Sequence, residues 1–288
     1  MEIYKPIIII GTGRCGSTLL YEMFARHPDI TFISNINVRK PDKKLSWRAN
    51  TLFNKFLLKR GIVVPDEAYP LFNRFFPGYG RSFRTLKEFD VTENAKKNFR
   101  AIFQKAIKHG KKDRIVYKCT GWSRMRFFKE IFPDCLFIHI IRDGRAVANS
   151  FLNMTWWEGW RGPENWRWGP LPEKYQKEWE EHDKSFLTLA GIEWKMMLDE
   201  VEDSKKHINE NDFLQIKYEV LLDDPIKIFE KILDFCEMDF PKRFKKALLK
   251  FQLKNYNYKW KENWNEKEKL SLNAVLREYL EKYGYNID

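Results

Sequence analysis

The stretch Ile7-Ile8-Ile9-Ile10-Gly11-Thr12-Gly13-Arg14-Cys15-Gly16-Ser17-Thr18-Leu19-Leu20 decides the fold. Four consecutive isoleucines read as a strand buried on both faces, the kind found in parallel sheets. The glycines after it predict a tight turn, and a helix opens on Ser17-Thr18. A turn of this kind aims several backbone N–H groups at one spot, where the helix dipole also favours negative charge. It is a cradle for phosphate. The spacing Gly11-x4-Gly16 followed by Ser17-Thr18 is that of a nucleotide P-loop, but Ser17 stands where a Walker loop carries its lysine. Arg14 is the cation inside the turn. A phosphate loop without that lysine argues against ordinary ATP or GTP hydrolysis.

Outward from this unit, strand-then-helix patterning repeats, which predicts an α/β fold: a P-loop-like parallel sheet flanked by helices. His27-Pro28 is expected to end the first helix. Residues 92 to 109 read as a helix with Phe99, Ile102, Phe103, Ala106 and Ile107 on its apolar stripe, closed by Gly110. Strands are expected at 114–118, 136–141 and 213–218, a helix after Asp224-Pro225, and a C-terminal helix from about Ser271 to Tyr283. Two regions break the repeat. Residues 35–90 are aromatic and basic with weak periodicity, and residues 155–172 hold Trp156, Trp157, Trp160, Trp166 and Trp168 among glycine and proline. Long irregular segments inside a compact domain are usually lids or binding loops. With no linker or internal repeat, residues 1–288 read as one domain carrying these two insertions on the acceptor side.

A chain of 288 residues can bury roughly 75% of its unfolded surface, enough for one large core. No apolar run reaches the ~18 residues of a membrane span. The N-terminus enters a strand at once, leaving no room for a secretory signal. Cys15, Cys119, Cys135 and Cys236 are scattered without a Cys-x-x-Cys pair, so neither disulfides nor a zinc site is indicated. A cytoplasmic setting is expected. The net charge of +12 suits an anionic ligand in an electropositive cleft, although lysines such as those from Lys242 to Lys250 also read as solvated helix faces. Charge alone would fit nucleic acid, but no recognition motif with interleaved aromatics accompanies it.

A second motif, Ile141-Arg142-Asp143-Gly144-Arg145-Ala146-Val147-Ala148-Asn149-Ser150, leaves a buried strand and enters a helix. It therefore lies at the carboxyl edge of the sheet, where open α/β folds bind ligands. Arg142 and Ser150, about two helical turns apart, can face one anion only if it lies along that helix. Taken alone, the pair also reads as an arginine bridged to Asp143 and a serine on a helix flank.

Taken together, Gly11 to Leu20 and Arg142 to Ser150 resemble the paired cofactor motifs of sulfotransferases that use 3′-phosphoadenosine 5′-phosphosulfate (PAPS), both cytosolic and tyrosyl-protein. Lys217-Tyr218-Glu219-Val220-Leu221-Leu222-Asp223-Asp224-Pro225 resembles the family's Tyr-Glu-x-Leu-x-x-x-Pro segment, and Lys118 matches its strand lysine. The resemblance runs from residue 6 to about 236. It implies that the 5′-phosphosulfate lies on the backbone of Gly13, Arg14, Cys15, Gly16, Ser17 and Thr18. It also implies that Arg142 and Ser150 hold the 3′-phosphate and that Tyr218 contacts the nucleotide. Lys259, in Tyr258-Lys259-Trp260, resembles a C-terminal basic contact of part of the family. Sulfuryl transfer is loose and in-line like phosphoryl transfer, so Arg14 and Lys118 are the candidate cations for the charge growing on the leaving phosphate. No metal is expected. A P-loop small-molecule kinase, and a non-catalytic basic protein binding nucleotide or nucleic acid, are the competing readings.

The general base is open. The cytosolic enzymes' histidine position, two residues after the strand lysine, is Thr120 here. The tyrosyl-protein enzymes' glutamate position, some twenty residues past the loop arginine, falls at Ser34 and Asn35. His27 and His139 read as structural. Glu158 and His182, in or beside the tryptophan-rich segment, are the candidates for reaching the acceptor, and a strongly positive site could also favour an alkoxide without a base. The tryptophans read either as a seal over the core or as a platform on which an acceptor stacks. Trp168-Gly169-Pro170 resembles acceptor-side loops of bacterial sulfotransferases. Without the glutamate, a carbohydrate or other small hydroxyl compound is expected as acceptor rather than a peptide tyrosine.

Overall fold

The isoleucine run forms β1 (Ile7–Gly11), the middle strand of a five-stranded sheet, in a computed structural model that describes residues 2–52 and 61–287. The others are β2 (Ile30–Thr31), β3 (Arg114–Thr120), β4 (Leu136–Ile141) and β5 (Phe213–Lys217). Their order is β2-β3-β1-β4-β5 and every pairing is parallel. All residues of β1 and β4 are buried. Each isoleucine taken from water in this way contributes roughly 1.5–3 kcal/mol.

Side chains of a strand alternate between faces, and β1 divides its isoleucines accordingly. Ile8 and Ile10 pack with Tyr117, Phe99 and Phe103 beneath the helix Glu93–Gly110, while Ile7 and Ile9 pack with Val116, Leu20 and Phe24 beneath the helices Ser17–Phe24 and Pro225–Phe235. A third apolar cluster is built by the helices Gly144–Leu152, Phe186–Lys205 and Glu266–Lys282, and it takes in Trp157, Trp166 and Trp168. Among the described residues no helix is long and apolar enough to cross a membrane.

The strand order creates the site. From β1 the chain passes to β2 and β3 on one side, whereas from β4 it passes to β5 on the other. The carboxyl ends of β1 and β4 therefore bracket a topological switch point, the crevice in which open α/β sheets take ligands. The phosphate loop leaves one of these strands and Arg142 leaves the other.

Several boundaries differ from the sequence reading. β3 runs on to Thr120 because its end stays in register with Gly11, and Gly121 N–H donates to the Gly11 carbonyl at 3.0 Å. Gly110 stays helical, and Lys111 takes the left-handed conformation (φ 51°) in its place. The first helix closes at Phe24, ahead of His27-Pro28, and His27 bonds the Asp239 carbonyl oxygen at 3.0 Å. The last helix starts at Glu266, where Asn265 and Glu268 form a capping box, and ends at Lys282. Residues 35–90 fold as short helices (Asn35–Arg39, Lys44–Leu52, Tyr69–Phe72) and turns, with residues 53–60 of that span lying outside the described residues. Residues 155–172 hold one short 3-10 turn, Gly159–Arg161.

Candidate active site

The loop after β1 reverses backbone hand twice. Arg14 (φ 64°) and Gly16 (φ 92°) are left-handed, on either side of Cys15. That alternation turns successive N–H groups to one side and makes an anion-binding concavity. Gly16 at the N-cap of the helix Ser17–Phe24 has no side chain with which to cap it. Glycine is required at 16 twice over: the φ is left-handed, and a Cβ there would sit 2.1 Å from the Tyr218 ring. Tyr218 thus packs against the loop backbone as the first residue of the helix Tyr218–Asp223.

Arg142 directly follows β4. Asp143, which might have neutralised it, caps the helix Gly144–Leu152 instead and binds Arg145 through both oxygens, at 3.0 and 2.8 Å. Among the described residues no carboxylate forms a salt bridge with Arg142. Its Nη1 donates to the Arg14 carbonyl at 3.0 Å, its Nε donates to Asn257 Oδ1 at 2.7 Å, and its guanidinium lies 4.8 Å from the Tyr218 ring centre. Burial pulls the pKa of this guanidinium below its ordinary value, and Tyr218 and Glu219 oppose the shift. Ser150, on the same helix as Arg145, accepts a hydrogen bond from Arg14 Nε at 2.8 Å. Glu219 organises the corner. It accepts from Asn257 Nδ2 (2.6 Å), from the Asp143 N–H (3.1 Å) and from the Tyr285 hydroxyl (3.1 Å).

Arg14, Gly16, Ser17, Thr18, Arg142, Ser150, Tyr218 and Lys259 come together around one cavity of about 570 Å³. Asn149, Tyr256 and Asn263 also line it, and Lys259 Nζ lies 4.5 Å from the centre of the Tyr256 ring. Of the residues expected in the cofactor loop, Cys15 turns its side chain into the core, where burial raises its thiol pKa. Gly13 faces a second cavity, of about 260 Å³, which also touches Arg14, Ser17 and Thr18.

This second cavity contains Lys118. Lys118 has the parity of Val116, opposite to Tyr117 and Cys119, so it projects on the side of the first helix. Its Nζ donates to Thr18 Oγ1 at 2.8 Å and lies 3.6 Å from Glu67 Oε1. The Thr120 hydroxyl donates to the same Glu67 oxygen, and the Tyr69 hydroxyl donates to the Thr120 carbonyl at 3.2 Å. Phe151, Trp156, Arg167, Trp168 and Glu193 complete the wall.

Neither sequence candidate for a base reaches either cavity. Glu158 is held by Arg81, with Arg161 at 4.0 Å, and His182 faces Ser271 Oγ at 3.1 Å. His139 is sealed within β4, faces Gln215, and is pushed by burial to a pKa of about 4, as a core histidine should be. Two carboxylates that the sequence did not single out take their place, Glu67 and Glu193. Ser34 and Asn35, where the resemblance implied a glutamate, lie beside the segment leading to Glu67: Asn35 N–H donates to the Val64 carbonyl and Asp66 N–H to the Ile33 carbonyl. The tryptophans divide between the two readings. Trp157 and Trp166 are buried in the third cluster, Trp156 walls the second cavity, and Trp168 does both.

Glu193 is 2% exposed, receives Trp157 Nε1 at 2.8 Å, and is pushed up by burial to a pKa of about 7, against the opposing pull of the Trp157 and Trp168 indoles and Arg167. Between its ordinary 4.5 and that value, the folded chain holds a proton that the unfolded chain has released. Stability contributed by this group is therefore greatest at low pH and declines by up to about 3 kcal/mol as pH rises through 7. Glu193→Gln removes this dependence. Its stability relative to the parent should climb between about pH 5 and about pH 8 in denaturant melts; a constant difference would contradict the assignment.

A family model described as the sulfotransferase family matches residues 6–242, and the chain belongs to that family. Its fold is similar to that of a sulfotransferase from Mycobacterium avium, STF9, at 16% identity and a TM-score of 0.66, covering 99% of this chain and 78% of that one. It is also similar to the sulfotransferase domain of the curacin biosynthetic pathway (14% identity, TM-score 0.56, all of both chains). A third similar fold is the sulfotransferase domain of the Synechococcus PCC 7002 olefin synthase (16% identity, TM-score 0.52, 99% and 98% covered). Comparison with curated proteins finds no match.

Proposed function

We propose that the chain transfers the sulfuryl group of PAPS to a hydroxyl group of a small molecule or carbohydrate. The observation that carries this reading is Arg142, without a salt bridge among the described residues, in the same cavity as Ser150 and the loop's N–H concavity. Two anion-attracting groups on the wall of one cavity fit a nucleotide phosphorylated at both the 5′ and the 3′ positions. Tyr218, locked between Gly16 and Arg142, offers a rigid surface between them. PAPS supplies an activated sulfuryl group whose leaving oxygen belongs to a phosphate.

The chain's own part is positioning and charge. Backbone N–H groups of residues 14–18 and the Arg14 guanidinium meet the negative group at the loop, and Lys118, in the second cavity, donates to Thr18 at the boundary between the two cavities. The second cavity, on the far side of that boundary, takes the acceptor against Trp156, Trp168 and Tyr69. Its modest size and aromatic walls favour a compact acceptor. Four buried free cysteines suit a reducing, cytoplasmic setting.

Thermal melts test the donor assignment. Adenosine 3′,5′-bisphosphate without magnesium should stabilise the protein, by about 2.7 kcal/mol at a hundred times its dissociation constant. Stabilisation by ATP with magnesium, and none by the bisphosphate, would point to a kinase. A response only to oligonucleotides, abolished by salt, would point to nucleic-acid binding.

A further inference from the structure

We propose that Glu67 is the general base that removes the acceptor's proton, an inference that rests on the sulfotransfer reading above. Three observations converge on its carboxylate. It lines the acceptor-side cavity together with Arg14, Ser17 and Thr18, which also border the nucleotide cavity. Its Oε1 lies 3.6 Å from Lys118 Nζ, which in turn contacts Thr18 of the loop. The Thr120 hydroxyl donates to the same oxygen and fixes the carboxylate's orientation. The backbone is fixed as well, since the Tyr117 hydroxyl donates to the Glu67 carbonyl at 2.6 Å. A base must stand within hydrogen-bond reach of the attacking hydroxyl while the cation stands toward the leaving group. Glu67 and Lys118 have that relative placement.

Glu193 is the other carboxylate on the wall, but it is buried deep in the helix Phe186–Lys205 and its oxygens face indole donors. It is placed to hold the shape of the wall.

In the step itself, the acceptor O–H bond breaks and its proton passes to Glu67. The acceptor oxygen's electron pair forms the new bond to sulfur. The bond from sulfur to the 5′-phosphate oxygen breaks, and its pair remains on that oxygen, where Arg14 and Lys118 meet the charge.

Glu67→Gln keeps the side chain's shape and its bond from Thr120 while abolishing proton uptake. The aromatic walls make two phenols suitable probes: phenol, which must lose a proton, and p-nitrophenol, already largely anionic at mildly alkaline pH. With PAPS as donor, the variant should lose roughly 10²–10⁴-fold in turnover of phenol, but less than about tenfold with p-nitrophenol. Its affinity for adenosine 3′,5′-bisphosphate should match that of the parent, which also establishes that it is folded. Equal losses with both phenols, or phenol turnover within threefold of the parent, overturn the role of Glu67 and leave the sulfotransfer reading standing. Failure of the parent protein to bind the bisphosphate overturns that reading instead.

Discussion

Replacing Lys118 with alanine should slow sulfuryl transfer to phenol by about 10²–10³-fold, the usual cost of losing one preorganised group aimed at charge that develops in the transition state. In a loose, in-line transfer, negative charge grows on the oxygen that leaves sulfur. Lys118 is suited to meet it because it is already held still. Its stem is buried along β3, and its ammonium is anchored between Thr18 and Glu67. Little reorganisation is then needed when the charge appears. The loss should fall on turnover, with affinity for adenosine 3′,5′-bisphosphate changed only a few-fold, because an interaction made mainly in the transition state does not contribute to ground-state binding. Initial rates and calorimetric titration on the same preparation separate the two. Matching losses in rate and in bisphosphate affinity would reduce Lys118 to a binding group.

Arg142→Ala should weaken adenosine 3′,5′-bisphosphate by about 1.5–3 kcal/mol, the range for a hydrogen bond to a charged group. Adenosine 5′-phosphosulfate, which lacks the 3′ group, should bind the variant nearly as well as it binds the parent. Selectivity of this kind is expected because Asp143 is engaged by Arg145 and Arg142 makes no salt bridge among the described residues, which leaves its guanidinium able to meet a ligand's anion. The contacts Arg142 does make, to a carbonyl and to an asparagine oxygen, orient the guanidinium without neutralising it. Equal weakening of both ligands in calorimetry would instead mean that Arg142 braces the loop through the Arg14 carbonyl.

The residues that gather around the first cavity were legible in the sequence because short contiguous runs specify most of them. Four isoleucines, the following glycines and Ser17 encode strand, turn and helix within a dozen or so residues, and Arg142 to Ser150 do the same after β4. The carboxylates of the second cavity were not. Glu67 and Glu193 reach one cavity from segments more than a hundred residues apart, and neither carries a local signature. Glu67 follows a stretch without periodicity. Glu193 sits in the helix Phe186–Lys205, which is buried on most of its faces and so lacks the apolar stripe by which a helix is recognised. Asn257 was hidden for a similar reason, since a lone asparagine in an irregular segment says nothing of the arginine it orients. Arg142 was ambiguous from sequence because Asp143 and Arg145 are both near neighbours, and only geometry shows which cation the carboxylate serves.

The convergence on Glu219 has a consequence for how the protein matures. Its partners arrive from the start of one helix and from the two ends of the C-terminal region, across chain separations of 76, 38 and 66 residues, and Asn257 reaches Arg142 across 115. Closing loops of that length carries an entropic penalty that only a nearly complete fold offsets. The corner that orients Arg142 is thus held only once the segments carrying Asn257 and Tyr285 have packed against β4 and the helix Tyr218–Asp223.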